Sequence, residues 1–215
     1  MAALFDKAKG NALGTGKVMS PGSLQDEALL GTLARYRRSV ASSYSPVGSD
    51  ELSTVFASAG KGEVFMSEKL DGELWFLVIQ DKEACFANSR GRVIHGKLPL
   101  LSEAQDASKA ISSPMAIFAG ELYAISANGK DRPRAADLAA VLAGGKSKAE
   151  RLRFAVFDIV ELRTDDEDLT SYAAKLEKLT QLFGKGEQLT VVPTEKTEGT
   201  GTIKDCYERL VVTGE

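Results

Sequence analysis

The sequence predicts an α+β fold in which mainly antiparallel sheets are flanked by helices. Short apolar segments with strand periodicity occur in hairpin-like groups, and helical segments of varied length separate these groups. This arrangement differs from a regular series of alternating strands and helices, which would indicate a parallel sheet. A length of 215 residues with 43% hydrophobic residues is enough for one good-sized core.

The first part of the chain, residues 1–22, is rich in glycine and is predicted to be a flexible lead-in to one domain over residues 23–215. Its stretch GNALGTGKV is similar to a phosphate-binding loop, but the spacing is wrong. Gly10 and Gly16 are one residue too far apart, and Val18 stands where a magnesium-binding hydroxyl is needed. We therefore interpret the stretch as an ordinary loop.

A helix is predicted from Ser23, where Ser23 and Asp26 form a variant of the capping box. Leucines and Tyr36 give this helix an apolar stripe, and three arginines make its end basic. The arginines favour either a solvated helix end or a contact with a phosphate backbone. They are Arg35, Arg37 and Arg38.

Six apolar runs further along the chain predict strands. They cover residues 63–68, 73–80, 83–88, 115–126, 153–163 and 188–193. Helices are predicted over 131–145, 168–184 and 202–214. The first has Pro133 near its start and Gly144 and Gly145 at its end, as helices commonly do, and the second ends at Gly184.

The composition and the charge limit which partners and which reactive groups can be expected. A net charge of −3 gives no overall basic character, so a nucleic-acid partner would need a local basic patch. Cys85 and Cys206 are far apart and are interpreted as small buried hydrophobes, and His95 is interpreted as a solvated loop residue. No apolar run has membrane-spanning length and no signal-peptide core is visible, so a cytoplasmic protein without a membrane partner is expected.

A charged cluster interrupts two apolar runs at Lys69-Leu70-Asp71-Gly72. The Asp-Gly pair favours a turn, which would hold the Lys69 amine at a fixed place beside the sheet. A deprotonated lysine amine attacks carbonyls to give Schiff bases or phosphorus to give phosphoramidates. The tetrapeptide alone is weak, since composition produces it by chance in about a few per cent of chains this long.

Four segments in order resemble motifs of the covalent nucleotidyltransferases, which comprise ATP-dependent DNA ligases, RNA ligases and mRNA capping enzymes. EKLDG resembles motif I, and FANSRGRVIHGKLPLL resembles motif Ia through Ser89, Arg90 and Gly91, although Gly91 comes one place early. AIFAGELYAI resembles motif III through Gly120 and Glu121. LRFAVFDIVEL resembles motif IIIa through Phe157 and Asp158.

The resemblance implies an ATP-grasp-like nucleotidyltransferase domain and the activity of an ATP-dependent DNA ligase that uses ATP and Mg²⁺. Lys69 would attack the α-phosphate of ATP, release pyrophosphate and hold AMP as a phosphoramidate. Asp71 would position first the amine and later the strand hydroxyl. The AMP would then pass to a 5′-phosphate end in nicked duplex DNA, or at an RNA end, and leave when a 3′-hydroxyl attacks.

The same resemblance implies a nucleotide-binding set. Arg90 would contact AMP or the 5′-phosphate end, Glu121 the ribose hydroxyls, and Phe157 would stack on adenine. Taken alone, Glu121 is also compatible with a solvated strand-edge carboxylate, Phe157 with a core position and Arg90 with a solvated loop. The implied set is Glu68, Lys69, Arg90, Glu121 and Phe157.

Three departures weaken parts of the resemblance. Leu74 stands where many DNA ligases carry arginine and where some RNA ligases carry leucine, and Ala119 stands where aspartate is common in motif III. Motifs IV and V are expected to be missing, because Glu198-Gly199 is followed by a Gly/Thr-rich turn and the sequence stops at Glu215. We therefore expect a domain incomplete at the C-terminus, without the oligonucleotide-binding domain of the full-length parent, that adenylylates itself feebly or not at all.

Other functions stay open at this point. An ATP-dependent RNA ligase and a catalytically inactive nucleotide-binding relic of the fold are the main alternatives. A capping guanylyltransferase would use GTP in place of ATP. An NAD-dependent ligase is disfavoured because no nicotinamide-recognition module precedes Lys69, and a Schiff-base lyase would require a carbonyl substrate.

Overall fold

The structure is a computed structural model that describes residues 4–48, 50–51, 54, 57, 63–129, 131–144, 148–163, 169–197, 205 and 207–209. The chain divides into two compact units. The first comprises Met1–Ser39 and Leu70–Val191, and the second comprises Val40–Lys69 and Val192–Glu215. Among the described residues, no helix is both long enough and apolar enough to cross a bilayer.

The described strands, in chain order, are β1 (Asn11–Leu13), β2 (Gly16–Val18), β3 (Val64–Ser67), β4 (Glu73–Gln80), β5 (Glu83–Ala87), β6 (Val93–Gly96), β7 (Met115–Ala124), β8 (Leu152–Leu162), β9 (Leu189–Val191) and β10 (Thr194–Thr197). The described helices are α1 (Glu27–Ser43), α2 (Pro99–Ser108), α3 (Ala135–Leu142) and α4 (Tyr172–Phe183). All six predicted strands are confirmed, and each observed strand end lies within two residues of the predicted one. The sequence prediction missed β1, β2, β6, β10 and α2.

The first unit is built on one eight-stranded sheet in the order β1-β2-β6-β5-β4-β7-β8-β9. Neighbouring strands pair antiparallel throughout, except that β8 and β9 run parallel. The predicted α+β class with a mainly antiparallel sheet and flanking helices is therefore confirmed.

Strand β4 lies in the middle of this sheet and is buried on both faces. Trp75, Leu77 and Ile79 belong to one apolar cluster, which also contains Leu138 of α3 and the α4 residues Leu179 and Phe183. Phe76 and Val78 belong to a second cluster, which also contains Leu29 and Leu33 of α1. Because both faces are covered, β4 reads as a continuous apolar run and not as an alternation of apolar and polar residues.

Helix α1 begins at Glu27, four residues after the predicted cap Ser23. Asp26 Oδ1 accepts a hydrogen bond of 2.9 Å from the backbone N–H of Leu29, so Asp26 and not Ser23 caps the helix. The backbone N–H of Ser23 instead donates to the carbonyl oxygen of Gly91. In α4 the cap is Ser171, whose hydroxyl accepts from the backbone N–H of Ala174 at 3.1 Å.

The prediction of a flexible lead-in over residues 1–22 differs from the structure. Strands β1 and β2 form a hairpin, and β2 pairs with β6 in the main sheet. Leu13 and Val18 are buried in the first cluster. Each strand is only three residues long, so the few apolar side chains that anchor the hairpin are hidden in a glycine-rich composition.

The interpretation of His95 as a solvated loop residue is wrong. His95 lies on β6, pairs with Lys17 of β2 and is 9% exposed. Its ring packs against Phe5, with 4.8 Å between the ring centroids. Strand β6 has only four residues, so the polar residues of the adjoining loops dominate the sequence around His95 although the strand itself is buried.

The second unit contains the antiparallel pair of β3 and β10, in which Ser67 lies opposite Thr194. Ion pairs join Lys196 to Glu63 and Arg209 to Glu195, the latter at 2.6 Å. Residues 205 and 207–209 are helical, in agreement with the predicted C-terminal helix. The rest of that helix, together with Glu198, Gly199 and Cys206, lies outside the described residues.

Candidate active site

The Lys69–Gly72 cluster directly precedes the central strand. Lys69 and Asp71 are exposed, Glu68 is half-buried, and β4 begins at Glu73. Lys69 is the last residue of its segment of the second unit, and Asp71 belongs to the first unit.

Gly72 connects motif I to motif III within the first unit. Its backbone N–H donates a hydrogen bond of 3.0 Å to Oε1 of Glu121 on β7. A Cβ atom at residue 72 would lie 2.3 Å from the carbonyl oxygen of Leu122, which is far inside van der Waals contact. Only glycine therefore allows the start of β4 to approach β7 this closely.

Gly120, the glycine of motif III, is constrained in the same way. A Cβ atom there would lie 2.6 Å from the carbonyl oxygen of Ala155 and 2.6 Å from Cζ of Phe154. The β7–β8 ladder shifts register here, because Ala119 pairs with Asp158 while Gly120 pairs with Val156.

Phe157 is the extra residue at this irregularity in β8. A bulge of this kind turns the side chain away from the regular alternation of the strand. The Phe157 ring is half-buried and packs against the second apolar cluster, alongside Leu74 and Tyr36.

Asp158 links three elements of the first unit. Its Oδ2 accepts from the hydroxyl of Tyr36 on α1 at 2.8 Å, and its Oδ1 accepts from Nζ of Lys175 on α4 at 2.8 Å. No sequence motif indicated Tyr36 or Lys175 as partners of Asp158. No local signal could have found the Tyr36 contact, since its two residues are 122 positions apart.

The motif Ia loop between β5 and β6 is held by Asn88. Its Oδ1 accepts from the backbone N–H groups of Arg90 and Arg92, at 3.0 and 3.1 Å. Gly91 has a φ of +73°, and a Cβ there would lie 3.1 Å from the backbone nitrogen of Gly22. Gly91 therefore stands where the loop requires a positive φ, although it comes one place earlier than the glycine of motif Ia.

The same loop lines an open cavity of about 530 Å³ in the first unit. Arg90, one of the predicted nucleotide-binding residues, lines it together with Ser89 of the same motif and with side chains that the motifs did not indicate. Its charged lining residues are Arg37, Glu73, Arg90 and Arg92, its polar ones include Asn88 and Ser89, and Leu74 lines the cavity as well.

Two further reactive side chains, Cys85 and His95, are both buried. Cys85 is buried, as predicted, and burial raises the pKa of its thiol to about 12, so it is a poor nucleophile. Burial, helped by Lys17 and Lys7, lowers the pKa of His95. No cluster of three or more histidine, cysteine, aspartate or glutamate residues that could hold a metal ion occurs among the described residues.

No protein-family profile and no curated protein matches this sequence. Among solved structures, "Pmar-Lig_Pre." has a TM-score of 0.55 and 16% identity, and "Pmar-Lig_PreS3" a TM-score of 0.52 and 15% identity. Each comparison covers 75% of this chain and 39% of the other. A mycobacterial DNA ligase D complexed with ATP and MES has a TM-score of 0.42 and 18% identity, over 69% of this chain and 45% of the other.

Over three quarters of its length, the chain has the fold of the two Pmar-Lig structures. It spans about two fifths of the length of the two Pmar-Lig chains. Within this fold, Asp71, Arg90, Glu121 and Phe157 belong to the first unit, whereas Glu68 and Lys69 belong to the second. The roles assigned to these residues remain predictions.

Proposed function

We propose that this chain carries the nucleotidyl-transfer site of an ATP-dependent polynucleotide ligase. DNA is favoured over RNA because the Ser89-Arg90 pair and the Gly120-Glu121-Leu122 strand resemble DNA ligase motifs. The observation that carries the proposal is the hydrogen bond from Gly72 to Glu121. It ties the residue that closes motif I to the acid of motif III, on a fold shared with ligase domains. Two motifs recognised separately in the sequence are thus parts of one local structure.

Lys69 is the proposed nucleophile. Its Nζ attacks the α-phosphorus of ATP and a P–N bond forms. The bond to the bridging oxygen breaks as pyrophosphate leaves, and the amine gives up a proton to solvent. AMP then moves from Lys69 to a 5′-phosphate end, and a 3′-hydroxyl displaces it to seal the strand. Such phosphoryl-group chemistry depends mainly on in-line positioning and charge neutralisation.

The other residues bind and orient. Glu121 has two carboxylate oxygens with about four lone-pair sites, so it can accept from the ribose hydroxyls while it holds Gly72. Phe157 offers a ring face to the adenine, and the bulge in β8 sets its direction. Arg90 lies on a loop that Asn88 keeps in place, which suits a residue that must meet a phosphate.

Magnesium fits this donor set. Protein sites for Mg²⁺ in nucleotide chemistry use one or two carboxylates together with the substrate's phosphates, so a cluster of three acids is not required. Asp71 presents an exposed carboxylate within motif I and would hold the ion with the phosphates of ATP. The ion would neutralise negative charge on those phosphates.

Labelling tests the proposal directly. The protein is incubated with ATP labelled at the α-phosphate and with magnesium, denatured, and examined for a lysine–AMP adduct by peptide mass spectrometry. We expect the adduct on Lys69, no adduct in Lys69→Arg, and a normal adduct in the control Lys97→Arg, which changes an exposed lysine of the first unit. Binding of ATP without any adduct would favour an inactive relic, and preference for GTP would favour a capping enzyme.

RNA ligation is the second candidate, because Leu74 occupies a position where some RNA ligases carry leucine. Adenylylated protein is mixed with nicked duplex DNA, and separately with nicked RNA, each bearing a 5′-phosphate. Faster sealing of the DNA nick would support the preferred assignment, and faster sealing of RNA would replace it.

A further inference from the structure

We propose that Arg37 of α1 joins Arg90 and Arg92 in a docking site for the phosphate backbone of a nucleic acid, in the cavity of about 530 Å³. The proposal rests on the proposed function, because it names where that enzyme would hold its polymeric substrate. Arg37 would be a positioning residue and would not take part in the chemistry. No sequence motif indicated it beyond the basic end of its helix.

The charged side chains that line the cavity are mostly basic. Three guanidinium groups line it against one carboxylate, that of Glu73, whereas the whole chain has a net charge of −3. The Glu73 carboxylate also accepts a hydrogen bond of 3.0 Å from Nε1 of Trp75. A concave surface with an excess of one sign of charge concentrates ions of the opposite sign.

Two of the three arginines, Arg37 and Arg92, each contact a neighbouring side chain. Nη1 of Arg37 lies 3.4 Å from the Ser89 hydroxyl, which brings α1 to the motif Ia loop. The guanidinium of Arg92 lies over the Trp75 ring at 5.7 Å from its centroid. Held guanidinium groups lose less conformational freedom when they bind a phosphate through paired hydrogen bonds.

The shape of the cavity favours a polymer over a mononucleotide. Arg37 and Arg90 are exposed, and the cavity is open to solvent. Small ligands are usually enclosed over most of their surface, whereas a nucleic-acid backbone crosses open basic grooves and contacts several cations at once. Arginines from α1 and from the β5–β6 loop are placed to contact such a backbone at separate phosphates.

Binding of an unreactive nicked duplex tests the inference without requiring any chemistry. The duplex carries a 5′-phosphate and a 3′-dideoxy end, and its affinity is measured by fluorescence anisotropy at several salt concentrations, in the absence of ATP. For Arg37→Gln we expect binding about tenfold weaker and a slope of log affinity against log salt reduced by about 0.9, as for one lost phosphate contact. Arg35→Gln, which removes the same charge from an exposed position on the same helix, should leave the slope unchanged.

The outcomes separate this inference from the proposed function. Equal weakening by Arg37→Gln and Arg35→Gln would show only diffuse attraction and would overturn the docking site. A fall in ATP-dependent labelling of Arg37→Gln as large as its fall in duplex binding would assign the cavity to the phosphates of ATP and would also overturn it. If the wild-type protein forms no lysine–AMP adduct but the Arg37-specific salt effect persists, the proposed function fails while the docking site stands.

Discussion

Gly72 and Glu121 lie 49 positions apart in the chain, and a hydrogen bond of 3.0 Å joins the backbone N–H of the first to the carboxylate of the second. The bond forms where β4 starts beside β7, with Leu74 directly opposite Glu121 in the ladder. It fixes the orientation of the carboxylate that we assign to the ribose. The geometry of motif III therefore depends on a glycine of motif I.

Gly72→Ala should destabilise the protein. The new Cβ would lie 2.3 Å from the Leu122 carbonyl oxygen, so the backbone must shift, and we expect a loss of about 1–3 kcal/mol in the free energy of unfolding. Urea denaturation measures this loss. The control Gly31→Ala lies within α1, where a Cβ meets nothing within 4 Å, and should stabilise by about 0.5–1 kcal/mol. Equal stability of Gly72→Ala and the wild type would refute the steric argument.

Substitutions at Glu121 separate its structural contact from its proposed ribose contact. Glu121→Gln retains an oxygen that can accept from Gly72, whereas Glu121→Ala leaves that N–H without this acceptor, at a cost of about 1–3 kcal/mol. If Glu121 binds the ribose, ATP should label the wild type more efficiently than 2′-deoxy-ATP does, and Glu121→Ala should lose this preference. An unchanged preference would remove Glu121 from the nucleotide site.

Tyr36→Phe should weaken the connection between α1 and β8. It deletes the hydroxyl that donates to Asp158 but keeps the ring, which packs edge-on against Phe76 at 5.6 Å. We expect a loss of about 1.5–3 kcal/mol, as for a hydrogen bond to a charged group. Tyr44→Phe, at a tyrosine that is 73% exposed, is the control and should change little. In an Asp158→Asn background the effect of Tyr36→Phe should shrink, and a double-mutant cycle measures by how much.

Stability should decrease as the pH falls below about 6.5, because of His95. Burial and the nearby cations of Lys17 and Lys7 lower its pKa in the folded state, whereas the unfolded chain binds the proton at the ordinary value of 6.5. Between these two pKa values the unfolded chain binds the proton and the folded protein does not, so a falling pH favours unfolding. Above the pKa of the unfolded state neither form is protonated, and the protein has its full stability. Urea titrations between about pH 8 and about pH 5.5 measure this dependence, above the range near 4 where carboxylates titrate. His95→Gln should flatten it, and an unchanged profile in that variant would assign the effect to other groups.

Much of the central sheet could be predicted from the chain alone. The apolar run of β4 is continuous because helices cover both faces, and the runs of β5, β7 and β8 are long enough to show strand character. The short strands β1 and β2 could not be found in this way. Three residues hold too few apolar positions to reveal a period, and glycine-rich composition suggested a loop instead.

The sequence by itself determined the order of the motifs and the residue types that they need, including Lys69, Glu121 and Phe157. Local patterns carry this information, because a motif is a set of neighbours along the chain. Only the tertiary structure decided that Tyr36 contacts Asp158, that His95 is buried, and that Arg37 lies beside Ser89 at a basic cavity. These relationships join residues far apart in the chain, and the pairing of strands and the packing of helices bring them together.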